Sequence, residues 1–313
     1  GGLGLFLFGM HVMSDGILKR ANSKLKQIVE TLTRNRFSGI LVGFSVTSII
    51  QSSSATTVLL VSLANAGLLT LRQSIGIIMG ANIGTTFTAW IVSFVGFKFS
   101  ITTLALPAIA IAIPLLFSKK DKQREVGTIL TGFGILFLGL HIMKESIPDL
   151  KGNPEVLSFL KDLSSYGYFS ILMFVIVGTI LTMVLQSSSA TMAMTITMAF
   201  KGWIPFPVAA AIVLGENIGT TITAYLASLG MGANAKRAAR AHMIFNVFGT
   251  VWMLIVFHPF ISLIDRIVPG SISDPQTLPF HLSAFHSLFN ILNTSLLVGF
   301  IPWFTKLVEN LIE

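Results

Sequence analysis

The chain of 313 residues contains no cysteine, which excludes disulfides and thiolate metal sites. Charged residues are scarce at 11%, whereas apolar residues make up 53% of the chain. This composition lies outside the usual range of soluble globular domains and indicates an integral membrane protein. The sequence also lacks a P-loop, an HExxH motif and a recognisable Ser-His-Asp arrangement. We therefore expect neither an enzyme nor an ATP-driven pump.

The net charge of +8 comes from basic residues that cluster between the apolar segments. These clusters are Lys19, Arg20, Lys24, Lys26, Arg34 and Arg36; Lys119, Lys120, Lys122 and Arg124; and Lys236, Arg237 and Arg240. Basic loops of this kind face anionic lipid on the cytoplasmic side of a membrane. The expected partner is therefore membrane lipid, and nucleic acid is not expected.

Apolar segments long enough to cross a bilayer, about 20 residues each, lie at 1–18, 74–95, 99–117, 126–147, 208–229, 241–264 and 281–304. Two further stretches, 38–69 and 168–200, are uncharged and about 32 residues long. They are too long for one crossing and too short for two full ones. The sequence therefore predicts an all-α polytopic membrane protein in which these stretches form re-entrant hairpins or pairs of short broken helices.

An internal repeat organises the chain. QSSSAT occurs at 51–56 and again 135 residues later, at 186–191. GANIGTT at 80–86 and GENIGTT at 215–221 have the same separation. We predict a first repeat over 1–125, a second over 126–264, and an extracytoplasmic loop with a final transmembrane helix over 265–313.

Charge predicts the orientation of the repeats. The stretch 19–37, after the first apolar segment, is strongly basic, whereas its counterpart 148–167 is mildly acidic. The latter contains Asp149, Glu155 and Asp162 against Lys151 and Lys161. The positive-inside rule then places the two stretches on opposite sides of the membrane. This predicts inverted repeats, with the N-terminus outside and the C-terminus in the cytoplasm.

Inverted repeats with polar, discontinuous segments are typical of secondary transporters, whose site lies near the bilayer midplane. In QSSS, hydroxyls and the free N–H groups of a helix start suit an anion. We expect the substrate to contact Gln51, Ser52, Ser53, Ser54, Gln186, Ser187, Ser188 and Ser189. In G-x-N-I-G-T-T, glycines would permit an unwound backbone whose carbonyls, with side-chain oxygens, could ligate sodium. The alternative is that these small residues only allow helices to pack closely.

The scarcity of charge inside the apolar segments indicates cation coupling. No Lys or Arg occurs within 38–71, 166–200 or 202–235. A helix N-terminus supplies only about half a charge, so co-bound cations are needed to balance a polyanion. Glu216 occupies the position that matches Ala81 in the first repeat. It could ligate a cation, accept the proton of a hydrogen phosphate, or pair with a neighbouring hydroxyl. The candidate sodium ligands are Asn82, Thr85, Thr86, Glu216, Asn217, Thr220 and Thr221.

A second pair of polar positions lies near the C-terminus. His242 and Asn246, and likewise His286 and Asn290, share one helical face at i, i+4. Hydrogen bonding between helices is the expected role, with a substrate contact as the alternative.

These motifs resemble those of a known family. Paired QSSSAT, paired G-[AE]-N-I-G-T-T, the opening GGLGLFLFGMHVMSDG and the H-x-x-F-N helices are similar to a bacterial member of the type II sodium–phosphate cotransporters. The resemblance covers essentially the whole chain. It implies sodium-driven import of inorganic phosphate across the bacterial inner (plasma) membrane by alternating access, with both QSSS segments forming the substrate and sodium region. A homo-oligomer is possible. Other functions left open are a sodium-independent anion channel, a transporter of another tetrahedral oxyanion, and a membrane scaffold or sensor.

Overall fold

A computed structural model describes residues 1–33, 35–98, 101–148 and 167–312, and these residues are almost entirely α-helical. The helices are α1 (Gly2–Leu32), α2 (Arg36–Ile50), α3 (Ser53–Asn65), α4 (Leu71–Ser93), α5 (Ile101–Leu116), α6 (Asp121–Ser146), α7 (Tyr168–Leu185), α8 (Ser188–Phe200), α9 (Phe206–Gly219), α10 (Thr221–Ser228), α11 (Ala233–Ile255), α12 (Phe257–Ile267), α13 (Leu278–Val298) and α14 (Ile301–Leu311). A short π-helical segment, Phe94–Lys98, extends α4.

The prediction of an all-α polytopic membrane protein is confirmed. Five helical segments in the described ranges are long and apolar enough to cross a membrane: Leu71–Lys98, Asp121–Ser146, Tyr168–Leu185, Phe206–Ser228 and Ala233–Ile255. A sixth candidate is the pair α13 and α14, which are bent by 86° relative to each other.

Both QSSS stretches are broken helices, as predicted. In the first repeat α2 ends at Ile50 and α3 begins at Ser53. In the second repeat α7 ends at Leu185 and α8 begins at Ser188, again 135 residues further on. The two copies of the motif therefore specify the same local structure.

Several predicted boundaries differ from the structure. Helix α1 continues to Leu32, so most of the basic stretch 19–37 is helical. The predicted span 241–264 is interrupted between α11 and α12, and the span 281–304 ends at Val298. Pro259 and Pro302 explain the last two breaks, because proline has no N–H to donate and is tolerated only in the first turn of a helix.

Two buried apolar clusters form the core, and each combines residues of both repeats. One includes Phe6 of the first repeat and Phe206 of the second, and the other includes Ile77 and Phe245. The two repeats therefore share their core and do not fold as separate units.

The orientation of the repeats remains a prediction. The acidic stretch that it depends on, with Asp149, Lys151, Glu155, Lys161 and Asp162, lies outside the described residues, as does Arg34.

Candidate functional site

Each QSSS motif begins with a glutamine in the left-handed helical conformation. Gln51 ends α2 with φ 59° and ψ 24°, and Gln186 ends α7 with φ 50° and ψ 28°. They are the only non-glycine residues with positive φ in the described part of the chain. This conformation costs an L-residue about 1–2 kcal/mol, and glycine is the usual solution. A glutamine at both turns therefore indicates that the side chain has a function.

The serine after each glutamine caps the following helix. Ser52 Oγ accepts a hydrogen bond from the Ala55 N–H at 3.1 Å, and Ser187 Oγ accepts one from the Ala190 N–H at 3.2 Å. A side chain that satisfies the first turn in this way fixes where the helix begins. The hydroxyl hydrogens of both serines remain able to donate to a ligand.

The next two serines of each motif occupy the first turn of the helix. Ser53, Ser188 and Ser189 are each less than 8% exposed, and Ser54 is half-buried. Within the described residues no hydrogen bond involves their hydroxyl groups. The first N–H groups of a helix also have no partner inside the helix. Each motif therefore presents several hydrogen-bond donors at one helix start, and this arrangement suits an anion.

A threonine pair connects the two helices of each broken segment. Thr47 Oγ1 donates to Thr56 Oγ1 at 3.1 Å, and Thr182 Oγ1 donates to Thr191 Oγ1 at 2.9 Å. Thr47 and Thr182 are not among the predicted site residues, although their separation of 135 residues is a signal that could have found them. These bonds hold the turn in a defined geometry.

The two glutamines differ in their surroundings. Gln51 is 7% exposed, its Nε2 donates to the Ser48 carbonyl, and its Oε1 accepts from Thr88 Oγ1 at 3.1 Å. Gln186 is exposed and has no hydrogen bond within the described residues. Thr223, the counterpart of Thr88, donates instead to the Thr220 carbonyl at 3.1 Å.

The first G-x-N-I-G-T-T motif does not have the unwound backbone that the sequence analysis expected. Residues 80–86 lie within the continuous helix α4. A Cβ atom on Gly80 would lie 1.9 Å from the Ile40 carbonyl oxygen, and one on Gly215 would lie 2.0 Å from that of Val175. These glycines therefore allow α2 to touch α4 and α7 to touch α9. The alternative reading, close helix packing, is right for them.

The polar side chains of both motifs bond mainly to their own helices. The Asn82 amide donates to the Ile78 carbonyl at 2.8 Å, and the Asn217 amide donates to that of Val213 at 2.7 Å. The hydroxyls of Thr85, Thr86 and Thr221 donate to carbonyls three or four residues earlier in the chain. Each of these hydroxyl oxygens can still accept a bond or ligate a cation.

The second motif differs from the first at two points. Helix α9 ends at Gly219 and α10 begins at Thr221, but the break is slight, because Thr220 keeps helical angles (φ −56°, ψ −28°) and its N–H donates to the Glu216 carbonyl at 3.0 Å. Glu216 is 1% exposed, and within the described residues neither its Oε2 nor Thr220 Oγ1 has a hydrogen-bond partner. Unpaired buried oxygen atoms of this kind fit a hard cation such as sodium, because burial without a partner is costly.

Helix α13, which belongs to neither repeat, contacts both motifs. His286 Nε2 lies 3.4 Å from Asn217 Oδ1, and the Asn290 amide donates to the same oxygen at 3.3 Å. On the other side, Ser287 Oγ donates to Thr86 Oγ1 at 3.0 Å. The prediction that His286 and Asn290 bond between helices agrees with this geometry.

The first His/Asn pair behaves differently. The Asn246 amide donates to the His242 carbonyl within α11, and no bond from either side chain to another helix occurs among the described residues.

The helix after each QSSS turn packs against helices of the other repeat. Helix α3, which follows the first QSSS turn, packs against α10 and α11 of the second repeat. Helix α8, which follows the second turn, packs against α4 of the first repeat and against α13. Each QSSS helix therefore contacts a helix of the other repeat that contains, or directly follows, a G-x-N-I-G-T-T segment.

Comparison with known proteins gives relatives along the whole chain. One is "Uncharacterized protein YqeW" of Bacillus subtilis, 30% identical over 310 residues that cover 98% of this chain and 95% of the relative. Another is "Putative inorganic phosphate export protein YjbB" of Salmonella typhimurium, 24% identical over 99% of this chain and 54% of the relative. The chain thus spans about half the length of YjbB.

A shorter segment is similar to a human protein, "Sodium-dependent phosphate transport protein 2B", with 46% identity over 63 residues, or 20% of this chain and 9% of the relative. No solved structure matches the chain. The family model described as Na+/Pi-cotransporter matches residues 5–145 and 159–264. Because that match includes most of the chain and all four motifs, the chain belongs to the Na+/Pi-cotransporter family.

Proposed function

We propose that the chain is a sodium-coupled symporter that imports inorganic phosphate across the bacterial inner membrane by alternating access. The observation that carries the proposal is the doubled QSSS turn. Each copy combines a left-handed glutamine, a capped helix start and serine hydroxyls without partners among the described residues. The proposed phosphate ligands are the eight residues of the two motifs, Gln51–Ser54 and Gln186–Ser189.

The charge balance of the site supports sodium coupling. The described helices around the QSSS turns contain no Lys or Arg between residues 38 and 71 or between 167 and 200. Two helix N-termini together supply about one positive charge, less than a hydrogen phosphate dianion requires. We infer that sodium supplies the remainder, with Asn82, Thr85, Thr86, Glu216, Asn217, Thr220 and Thr221 as ligands. The unpaired oxygens of Glu216 and Thr220 favour the second motif as the stronger site.

Contacts between the helix ends support the inverted orientation. At the end of α3, the Asn65 Oδ1 accepts from the Gly232 N–H at 2.8 Å, next to the basic start of α11. At the end of α8, Trp203 Nε1 donates to the Pro148 carbonyl at 3.0 Å, at the start of the acidic stretch. Equivalent ends of the two repeats therefore meet regions of opposite charge. This supports a cytoplasmic C-terminus and an N-terminus outside.

Single cysteines would test the orientation, since the chain has none of its own. Ala66 and Lys201 are equivalent residues, the C-caps of α3 and α8. We expect Ala66→Cys to react with an impermeant thiol reagent only from the cytoplasmic side and Lys201→Cys only from outside. Labelling of both from one face would contradict inverted repeats.

Reconstituted protein would test the transport reaction. The YjbB relatives are named for phosphate export, whereas a symporter moves phosphate in the direction of the sodium gradient. We expect proteoliposomes to accumulate labelled phosphate only under an inward sodium gradient and to release it when the gradient is reversed. Phosphate flux that does not depend on a sodium gradient would indicate a channel. Phosphate binding without flux would indicate a sensor. Competition by arsenate measures selectivity among tetrahedral oxyanions.

A further inference from the structure

A cavity of about 450 Å³ lies where α10, α11 and the end of α14 meet. Its lining includes Lys236 and Arg240 near the start of α11, Ile244 one turn further along the same helix, and Leu229 and Leu311. One end of the cavity is therefore cationic and the remainder is largely apolar.

The two cations have no acidic partner within the described residues. They are four residues apart on α11, so they lie on the same helix face. The Arg240 guanidinium is half-buried and lies 4.8 Å from the centre of the Tyr225 ring, which fixes its position. The described residues thus leave two positive charges beside an apolar wall without an internal counter-charge.

Helix α14 indicates where this cavity lies relative to the membrane. It is bent by 86° from α13, buries Phe304 and Val308, and leaves Trp303 60% exposed. A short helix with one buried face and an exposed tryptophan is typical of the membrane interface. The Arg237 Nε donates to the Ile312 carbonyl at 3.0 Å and so joins the end of α14 to α11. The cavity therefore opens at the level of lipid headgroups.

We propose that this cavity binds an anionic phospholipid. The headgroup phosphate lies between Lys236 and Arg240, and the glycerol and upper acyl chain lie along Ile244 and Leu311. Basic pockets between helices at a cytoplasmic membrane surface have this specificity. Inorganic phosphate shares the headgroup chemistry, but it would leave the apolar wall without a partner.

The experiment measures lipid binding by the purified chain, so its outcome is independent of the transport proposal. Phosphatidylglycerol is titrated into detergent-solubilised protein and bound lipid is counted by native mass spectrometry, with phosphatidylcholine and inorganic phosphate as comparison ligands. In Lys236→Gln/Arg240→Gln we expect phosphatidylglycerol to bind about 30-fold more weakly, since each basic residue near an anionic surface contributes about a factor of five. Lys236 is exposed, so Lys236→Gln alone, with about a fivefold loss, is a variant that keeps the fold.

The matched control is Lys119→Gln/Lys120→Gln. These residues are exposed in the α5–α6 loop, which is predicted to lie on the same membrane side. We expect this variant to bind phosphatidylglycerol as the unmodified chain does. Equal losses in both double variants would show diffuse attraction to a charged surface and overturn the proposal. Equal binding of phosphatidylcholine, or displacement of the lipid by inorganic phosphate, would also overturn it.

Discussion

The two QSSS turns have nearly the same backbone but different side-chain environments. Gln51 is buried and hydrogen-bonded to Thr88, whereas Gln186 is exposed and Thr223 bonds elsewhere. Because the sequences of the motifs are identical, the difference comes from their tertiary surroundings. The proposed alternating access gives a physical reason, since a transporter built from two repeats that opens to one side at a time holds them in different states. We expect Gln186 to bond to Thr223 in the opposite state.

The two G-x-N-I-G-T-T segments differ in sequence as well as in structure. Ala81 is a buried apolar residue of α4, whereas its counterpart Glu216 in α9 is a buried carboxyl group whose Oε2 has no hydrogen-bond partner among the described residues. Both copies keep the glycine contacts with the helix that leads into the QSSS turn, α2 in the first repeat and α7 in the second. Both segments therefore serve helix packing through their glycines, and only the second contains the buried carboxyl group of Glu216, a candidate cation ligand. The following variants test this division, beginning with the largest expected effect.

The glycine contacts should be equally important in both repeats. A Cβ on Gly43 would lie 2.1 Å from the Ile77 carbonyl oxygen, and one on Gly178 would lie 2.2 Å from that of Ile212. We expect Gly43→Ala and Gly178→Ala each to destabilise the fold by about 3 kcal/mol or more, because the helices cannot approach. Thermal unfolding in detergent measures this loss.

Gly39→Ala is the control for those variants, because its Cβ would have its nearest neighbour at 3.5 Å. It should be tolerated or slightly stabilising, by about 0.5–1 kcal/mol. If Gly43→Ala leaves the stability unchanged while Gly178→Ala lowers it, the two repeats do not depend on this contact in the same way.

Replacing the glutamine of each turn with glycine distinguishes the contribution of the side chain from that of the backbone conformation. Gln51→Gly and Gln186→Gly keep the left-handed turn without its strain, and we expect phosphate uptake to fall at least about 100-fold in each because a ligand is lost. Stability should differ between them. Gln186→Gly gains about 1 kcal/mol from relieved strain, whereas in Gln51→Gly the loss of bonds to Ser48 and Thr88 offsets that gain. Uptake near normal in both variants would assign the motif to packing alone.

Glu216→Gln tests the asymmetry of the cation site. The variant keeps the shape but removes the charge, and losing a charge-assisted contact in a desolvated site costs about 1.5–3 kcal/mol. The sodium concentration for half-maximal uptake should rise by roughly 10- to 150-fold. The exposed Glu145 provides the control variant, Glu145→Gln, with unchanged sodium dependence.

Phosphate titrations of Glu216→Gln distinguish its possible roles. If the phosphate affinity and its pH dependence both change, the Glu216 carboxyl group accepts the proton of the bound hydrogen phosphate. If neither the sodium nor the phosphate titration changes, Glu216 is structural.

The sequence predicted the helical class and the breaks at both QSSS motifs, because uncharged segments of fixed length and a duplicated polar motif constrain them directly. It did not distinguish an unwound backbone from close packing at Gly80, since glycine permits either and only the neighbouring α2 decides. The different states of Gln51 and Gln186 were also beyond a sequence argument, because identical residues differ only through tertiary contacts. The partner of His286 and Asn290, Asn217, was not predicted, because the H-x-x-F-N motif indicates bonding between helices without identifying the other helix.

Lys144 gives the smallest expected effect and tests whether the ends of the repeats are also asymmetric. Its Nζ donates to the Gly96 carbonyl at 2.8 Å and lies 4.4 Å and 5.2 Å from the ring centres of Phe97 and Phe200, so it joins α6 to the ends of α4 and α8. The equivalent residue of α1, 130 positions earlier, is Ser14, which cannot make cation–π contacts.

We expect Lys144→Met to keep the apolar stem in place but to lower the stability by about 1–2 kcal/mol, the combined contribution of a hydrogen bond and partly buried cation–π contacts. Lys98→Met is the matched control, because Lys98 is exposed and lies 5.6 Å from one ring, that of Phe94. Its melting temperature in detergent should stay within about one degree of the unmodified chain, as expected for an exposed charge. A Lys144→Met variant that melts no lower than Lys98→Met would mean that this junction adds no stability, and the asymmetry between the repeats would then be confined to Gln51, Gln186 and Glu216.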